Sequence, residues 1–163
     1  MYKSFVFFGL IAILLCGSAS AQNSGTLDKK FGLGIIVGEP TGISGKLWTG
    51  PRTAMDGAIA WSTGTHSNVN LHFDYLMHDF NVLNVSEKYF VLYYGIGTRF
   101  KFTSDHNSNN NNDTIIGVRI PLGITYLFPT SPFDIFVEIV PLLDVIPDTE
   151  FEMNAGLGVR YYF

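Results

Sequence analysis

Thiol chemistry is almost absent from this chain: Cys16 is the single cysteine in 163 residues. No disulfide can close within one copy. Basic residues are outnumbered, 10 Lys and Arg against 14 Asp and Glu, and no basic patch stands out. That excludes the electrostatic footprint of a nucleic-acid binder. Past Leu15 no apolar run approaches the roughly 20 residues a membrane-spanning helix needs. Asp, Glu, Lys, Arg, Gly or Pro interrupts each one. Helical periodicity is missing from residue 22 onward. The histidines His66, His72, His78 and His106 are dispersed, without metal-ligand spacing. No Gly-x-Ser-x-Gly nucleophile motif is present either. Neither a cofactor nor a metal is expected.

What the chain does have begins at its amino terminus. Lys3 supplies a short basic region, Phe5 to Leu15 is apolar apart from Gly9, and Ala19-Ser20-Ala21 is a small-residue cleavage site. This pattern reads as a secretory signal peptide over residues 1–21. An anchor helix is the alternative, but the apolar run is about half the length of a span. Lipidation at Cys16 is a second alternative, although Leu15 stands where a lipoprotein signal carries a small residue. Cleavage after Ala21 leaves residues 22–163 as one domain of 142 residues (163 minus 21). Losing Lys3 moves the formal charge from −4 to −5.

Residues 22–163 alternate with period two. The ending is the clearest case. Met153, Ala155, Leu157, Val159, Tyr161 and Phe163 lie on one face, and Asn154, Gly156, Gly158, Arg160 and Tyr162 on the other. Strands are predicted at about 31–38, 42–49, 53–62, 69–77, 89–102, 114–128, 133–141 and 153–163. Turn signals separate them: Glu39-Pro40-Thr41, Gly50-Pro51, Gly64 to Asn68, and Pro129-Thr130-Ser131-Pro132. In the first turn, Pro40 is expected to fix φ and Gly42 to take φ > 0. The segment Ser104 to Asp113 is almost wholly polar and reads as a solvated loop. With both ends on one side, outer loops are expected near 39–41, 63–68, 103–113 and 142–152, and inner turns near 50–52, 78–88 and 129–132.

Strand parity puts the mid-strand charges on one face. Lys46, Asp56, Asp74, Arg99, Arg119, Glu138 and Arg160 all oppose apolar residues, as do Ser44, His72, Lys101 and Asp134. A Lys or Arg facing lipid at the midplane costs ~2–4 kcal/mol. The charged face is therefore the inside of a closed sheet. Eight strands enclose a space just filled by side chains, so the acids Asp56, Asp74 and Glu138 are expected to meet the bases Lys46, Arg99, Arg119 and Arg160. Glu138 is the expected central acid. Inward glycines are expected to make room for the arginines or to let strands bend. The fold class is all-β: an eight-stranded antiparallel transmembrane up-and-down β-barrel.

Several segments carry a resemblance. Residues 34–46, from Gly34-Ile35-Ile36-Val37-Gly38 through Lys46, resemble the opening hairpin of an uncharacterised family of small bacterial outer-membrane β-barrel proteins. Pro121-Leu122-Gly123-Ile124-Thr125-Tyr126-Leu127-Phe128-Pro129, Phe133-Asp134 with Glu138, Pro147-Asp148 and the Arg160-Tyr161-Tyr162-Phe163 ending complete the pattern. In architecture the family is similar to the transmembrane domain of outer membrane protein A, without that protein's peptidoglycan-binding domain. The resemblance implies residence in the outer membrane of a Gram-negative-type cell. It also implies Tyr161 and Phe163 as a carboxy-terminal signal read by the barrel assembly machinery. Outer-membrane lipid is the other expected partner, and the barrel is expected to be monomeric and non-porin. A structural or surface-interaction role with a charge-plugged lumen is expected. The alternative is a lipid-modifying enzyme, a lipid A-modifying hydrolase using His72 with Asp74 or His66 with Ser67, or a barrel that binds a small hydrophobic ligand.

Mass spectrometry of the exported protein should find Gln22, cyclised or not, at the amino terminus. A diacylglyceryl mass on Cys16 would overturn cleavage after Ala21.

Overall fold

The computed structural model describes residues 29–39, 41–63, 67–81, 89–104 and 112–163. The leader and Cys16, Pro40, His66 and His106 lie outside the described residues, as does most of the Asn-rich loop. Nine strand segments follow one another: β1 (Phe31–Gly38), β2 (Gly42–Trp48), β3 (Thr53–Thr63), β4 (Ser67–Asp79), β5 (Phe90–Ser104), β6 (Asn112–Arg119), β7 (Leu122–Leu127), β8 (Phe133–Ile146) and β9 (Glu150–Tyr162). All pairings are antiparallel, each strand except β6 and β7 pairs with its chain neighbour, and β9 pairs back onto β1.

The nine segments fill eight positions. β6 and β7 form one strand interrupted at Ile120 and Pro121, and both pair with β5 and β8. Pro121 has no N–H to donate, and Pro141 faces the interruption from β8 with the same lack. The carbonyls still serve: Gly95 N donates to Pro121 O at 2.9 Å and Ile120 N to Pro141 O at 3.0 Å. Register with β5 is therefore the same on both sides of the gap.

Closure requires a stagger. From Ala58, the register leads through His72, Arg99, Gly117 and Asp144 to Glu150 on β9. The other way round, it leads through Ser44 and Gly34 to Arg160. The difference, 160 minus 150, is a shear of ten residues. Ten residues over eight strands tilts the strands by roughly 40°.

Alternation separates two faces almost without exception. Along β8, Phe133, Ile135, Val137, Ile139, Leu143 and Val145 are exposed, while Asp134, Phe136, Glu138, Val140, Leu142 and Asp144 are buried. The outer face is an apolar belt, mostly Ile, Leu, Val and Met with Phe73 and Tyr75 among them, and aromatics mark both of its ends. At the end where β1 begins and β9 finishes, Phe31 lies 6.3 Å from Phe163, Tyr161 is 4.9 Å from Phe163, and Phe133 is 5.1 Å from Tyr161. Phe90, Tyr126 and Phe128 continue that ring. Trp61, Phe102 and Phe151 mark the opposite end. Among the described residues no helix is long and apolar enough to cross a membrane.

Three expectations need correction. The seventh strand does not stop at 141, nor does the last begin at 153: β8 runs to Ile146 and β9 starts at Glu150, so the expected 142–152 loop shrinks to 147–149. Pro141 does not end the strand, because its missing donor falls at the interruption of the neighbouring strand. β4 runs on to Asp79, which brings His78 into the interior instead of the expected 78–88 turn. In the first turn the positive φ is at Gly38 (140°), not at Gly42. Thr41 Oγ1 donates to Gly38 O at 2.9 Å and accepts from Gly38 N at 3.2 Å, closing the turn one residue earlier. Gly42 is already in β2, pressed against Ile59 and Ala60.

Inward glycines make room mainly for acids and aromatics on the next strand. A Cβ at Gly97 would meet the Asp74 carboxylate, one at Gly117 that of Asp144, one at Gly123 the Tyr93 ring, and one at Gly158 the Phe136 ring. Gly97→Val should therefore lower stability by about 1–3 kcal/mol. Gly45→Ala, on the outer face with its nearest neighbour at 3.8 Å, should change it by less than about 0.5 kcal/mol. Urea-unfolding midpoints in micelles check both.

Candidate functional site

The interior holds the chemically rich side chains of this molecule. Parity delivers them there: β2 contributes Ser44 and Lys46, β3 Asp56, β4 His72, Asp74 and His78, β5 Tyr93 and Arg99, β6 Arg119, β8 Asp134, Glu138 and Asp144, and β9 Arg160 and Tyr162. All are buried. Arg119, Arg160, Tyr93, Tyr162 and Lys46 are the largest fully buried side chains.

Three arginines span the interior, and each holds two carboxylates. Arg160 on β9 reaches Asp56 on β3 at 2.5 Å and Asp134 on β8 at 3.5 Å. Arg119 on β6 meets Asp74 on β4 at 2.9 Å and Glu138 on β8 at 3.5 Å. Arg99 on β5 meets Asp144 on β8 at 2.5 Å and Glu152 on β9 at 2.7 Å. Each clamp includes a link between strands that are not ladder neighbours, β9 to β3, β6 to β4, and β5 to β8 and β9, while Arg160–Asp134 and Arg119–Glu138 join adjacent strands.

The clamps are supplemented by neutral donors and rings. Tyr162 Oη donates to Asp134 at 2.7 Å and Tyr93 Oη to Glu138 at 2.9 Å. Arg160 Nε donates to Ser44 Oγ at 3.0 Å, and its guanidinium carbon lies 3.8 Å from the Phe136 ring centroid. Removal from water penalises every one of these ions unless it is paired; charge-assisted hydrogen bonds supply the pairing for Arg99 and Arg160, while Arg119 meets Asp74 and Glu138 as ion contacts without hydrogen-bond geometry. Counting Lys46 and Lys101, five bases face six acids, so the interior is close to neutral.

Of the seven residues expected to form the network, Asp56, Asp74, Arg99, Arg119, Glu138 and Arg160 take part in these clamps. Lys46 does not meet a carboxylate as expected. Its Nζ lies 2.8 Å from His78 Nε2, 4.6 Å from the Trp48 ring centroid and 5.4 Å from that of Tyr93. The acids beside it are already committed to arginine, whose planar fork reaches two carboxylates at once. No single acid is a hub: Glu138 is one jaw of the middle clamp.

Four participants were missed in the sequence. Asp144 and Glu152 lay in the span read as loop, although Leu142 and Asp144 against Leu143 and Val145 continue the alternation. Tyr93 and His78 share parity with Arg99 and Asp74, and that signal could have found them.

For catalysis the geometry offers little. His72 Nε2 stands 3.9 Å from Asp74 Oδ2, and Asp74 is engaged by Arg119. No hydroxyl or thiol bonds to His72 among the described residues, and His66 lies outside them, as does the side chain of Ser67. No group of three or more His, Cys, Asp or Glu side chains is placed to hold a metal ion among the described residues.

Comparison with known proteins follows the fold. The chain is similar to the crystal structure of the N-terminal β-barrel domain of Pseudomonas aeruginosa OprF, with a TM-score of 0.64 and 16% identity over 88% of this chain and 100% of that one. At that identity the likeness concerns the fold. No curated protein matches the chain. One family model spans most of it, residues 22–161, and the chain belongs to that family, described as protein of unknown function DUF3996.

Proposed function

We propose that this chain is a small, monomeric, non-porin β-barrel of the outer membrane of a Gram-negative-type cell, with a plugged lumen and a structural or surface-interaction role. One observation carries the reading. Ions that would be intolerable in lipid are gathered inside as three cross-lumen clamps, while the outer face is apolar between two rings of aromatics. That division suits a lipid solvent outside and a polar core within. Two shallow apolar grooves on the outer wall, of about 370 and 230 Å³, offer seats for acyl chains, the first beside Met55, Phe73, Tyr75 and Ile96. The leader over residues 1–21 supplies export, and the family match beginning at residue 22 supports that boundary.

The terminal aromatics serve two ends. Phe163 N donates to Phe31 O at 2.9 Å, so the last residue helps to close the ring. Tyr161 and Phe163 also present their rings outward, where the barrel assembly machinery would read them. Deleting Phe163 should deplete folded protein from the outer-membrane fraction. Undiminished folded barrel would count against that role.

Removing an arginine tests the plug. Arg160→Met leaves Asp56 and Asp134 buried without their cation, and breaking such a group costs about 3–5 kcal/mol. The variant should unfold at correspondingly lower urea. Planar-bilayer conductance of the unmutated protein should be negligible, and a large steady conductance would sink the plug.

A further inference from the structure

The mouth of the barrel is uneven. β1 stops at Gly38, opposite Gly156, yet β9 extends six residues further, to Glu150. On the other flank β2 begins at Gly42, opposite Ala60, yet β3 runs on to Thr63. The β8–β9 and β3–β4 hairpins thus rise past the β1–β2 turn and leave a notch two strands wide. Three strand spacings separate its walls, roughly 14 Å, which is room for an added strand.

Among the described residues the β9 wall of this notch is a free sheet edge. Ala155 O accepts from Glu39 N and Phe31 O from Phe163 N, so odd-numbered residues of β9 aim their backbone groups at β1. Tyr162 N donates to Pro132 O, so even-numbered ones aim at β8. Beyond Ala155 the odd residues are Met153 and Phe151. Among the described residues nothing bonds to their N–H and C=O groups on that side. Their side chains point outward, 58% and 64% exposed. No proline or lysine blunts residues 150–155, the usual protection of an open edge.

Charge selects the occupant. Glu39, Asp148 and Glu150 are exposed around the notch. The bases nearest to it, Arg99 and Lys101, are both turned to Glu152, at 2.7 and 3.7 Å. A second copy of this chain would bring the same acids, and a lipid headgroup would leave the alternating donors and acceptors unused. We propose that the notch is a strand-addition site for an extended segment of a partner protein, with Lys or Arg at alternate positions, that pairs antiparallel with residues 150–155 of β9. Main-chain bonds supply the affinity and the rim acids the selectivity. The edge itself follows from the fold. Only its placement at the cell surface rests on the outer-membrane reading.

The test uses the exported chain folded in detergent micelles and a capped eight-residue peptide of alternating Lys and Val, with amide hydrogen exchange read by NMR. In the free protein the Phe151 and Met153 amides should exchange about 100-fold faster or more than those of Leu157 and Val159, which bond to β1. Peptide should slow the first pair by about tenfold or more. Peptides with Glu for Lys, or Pro for Val, should not. Met153→Pro removes one free donor without touching the β8 ladder and should abolish the peptide's protection of Phe151, with the folded barrel retained. Edge amides already slow in the free protein would overturn the site. So would equal protection by the Lys–Pro peptide, which means bare charge attraction, or equal protection by dioleoylphosphatidylglycerol without peptide, which means a lipid site. If Met153→Pro fails to fold, the three peptides on the unmutated protein still decide.

Discussion

The ladder between β1 and β9, seven register pairs from Gly32–Tyr162 to Gly38–Gly156, turns a sheet into a ring. Once it forms, every strand has an inside and an outside, and the period-two side-chain pattern becomes a partition between two environments. The ten-residue stagger sets the width of that ring, and the width decides what must fill it. At eight strands the interior takes side chains and little else. Closure therefore obliges the sequence to supply inward groups of the right volume at every level, including glycine wherever a neighbour's carboxylate or ring needs the space.

Why the fill should be ionic follows from the outer face. With Ile, Leu, Val and Met turned outward, a greasy interior would leave the two faces alike and the register weakly specified. Ionic clamps distinguish them. Slipping β9 by one residue would turn Arg160 outward and Val159 inward, losing both Asp56 and Asp134 as partners. A buried ion pair adds little net stability over a well-packed apolar substitute. Three arginines each holding acids from two different strands make the correct register far better than its neighbours, and that is a matter of specificity.

Much of this was legible in the sequence because parity needs no knowledge of the third dimension. Alternation alone sent Arg99, Arg119 and Arg160 inward together with Asp56, Asp74 and Glu138. Parity cannot say which acid meets which base, since that depends on stagger, which is a property of the closed ring. Lys46 and Asp56 are register neighbours, and pairing them is the natural inference from local geometry. Arg160, arriving from the far side of the closure, takes Asp56 instead. Asp144 and Glu152 fell in the span expected as a loop at 142–152. Pro141 falls where the adjacent strand is itself broken at Pro121, so its missing donor costs the ladder nothing. Extending β8 past it brings in Asp144, and the start of β9 at Glu150 brings in Glu152, to complete the clamp on Arg99.

Closure removes edges around the waist of the barrel but not at its mouth. Hairpins of unequal length on a tilted sheet must leave some backbone groups unpaired wherever a long strand overtops a short neighbour. Among the described residues β9 overtops β1 by six residues beside Glu39, and that step coincides with the rim's exposed acids. The opposite end contrasts in charge, with Lys29, Lys30 and Arg52 set among aromatics. Lys29 donates to Tyr162 O at 3.2 Å and lies 5.5 Å from the Tyr161 ring centroid, so this basic end is tied to the closing strand itself. A basic, aromatic-bounded end and an acidic, notched one give the barrel a polarity along its axis. The clamps brace the ring between these two ends, so the polarity belongs to the rims and not to the near-neutral interior.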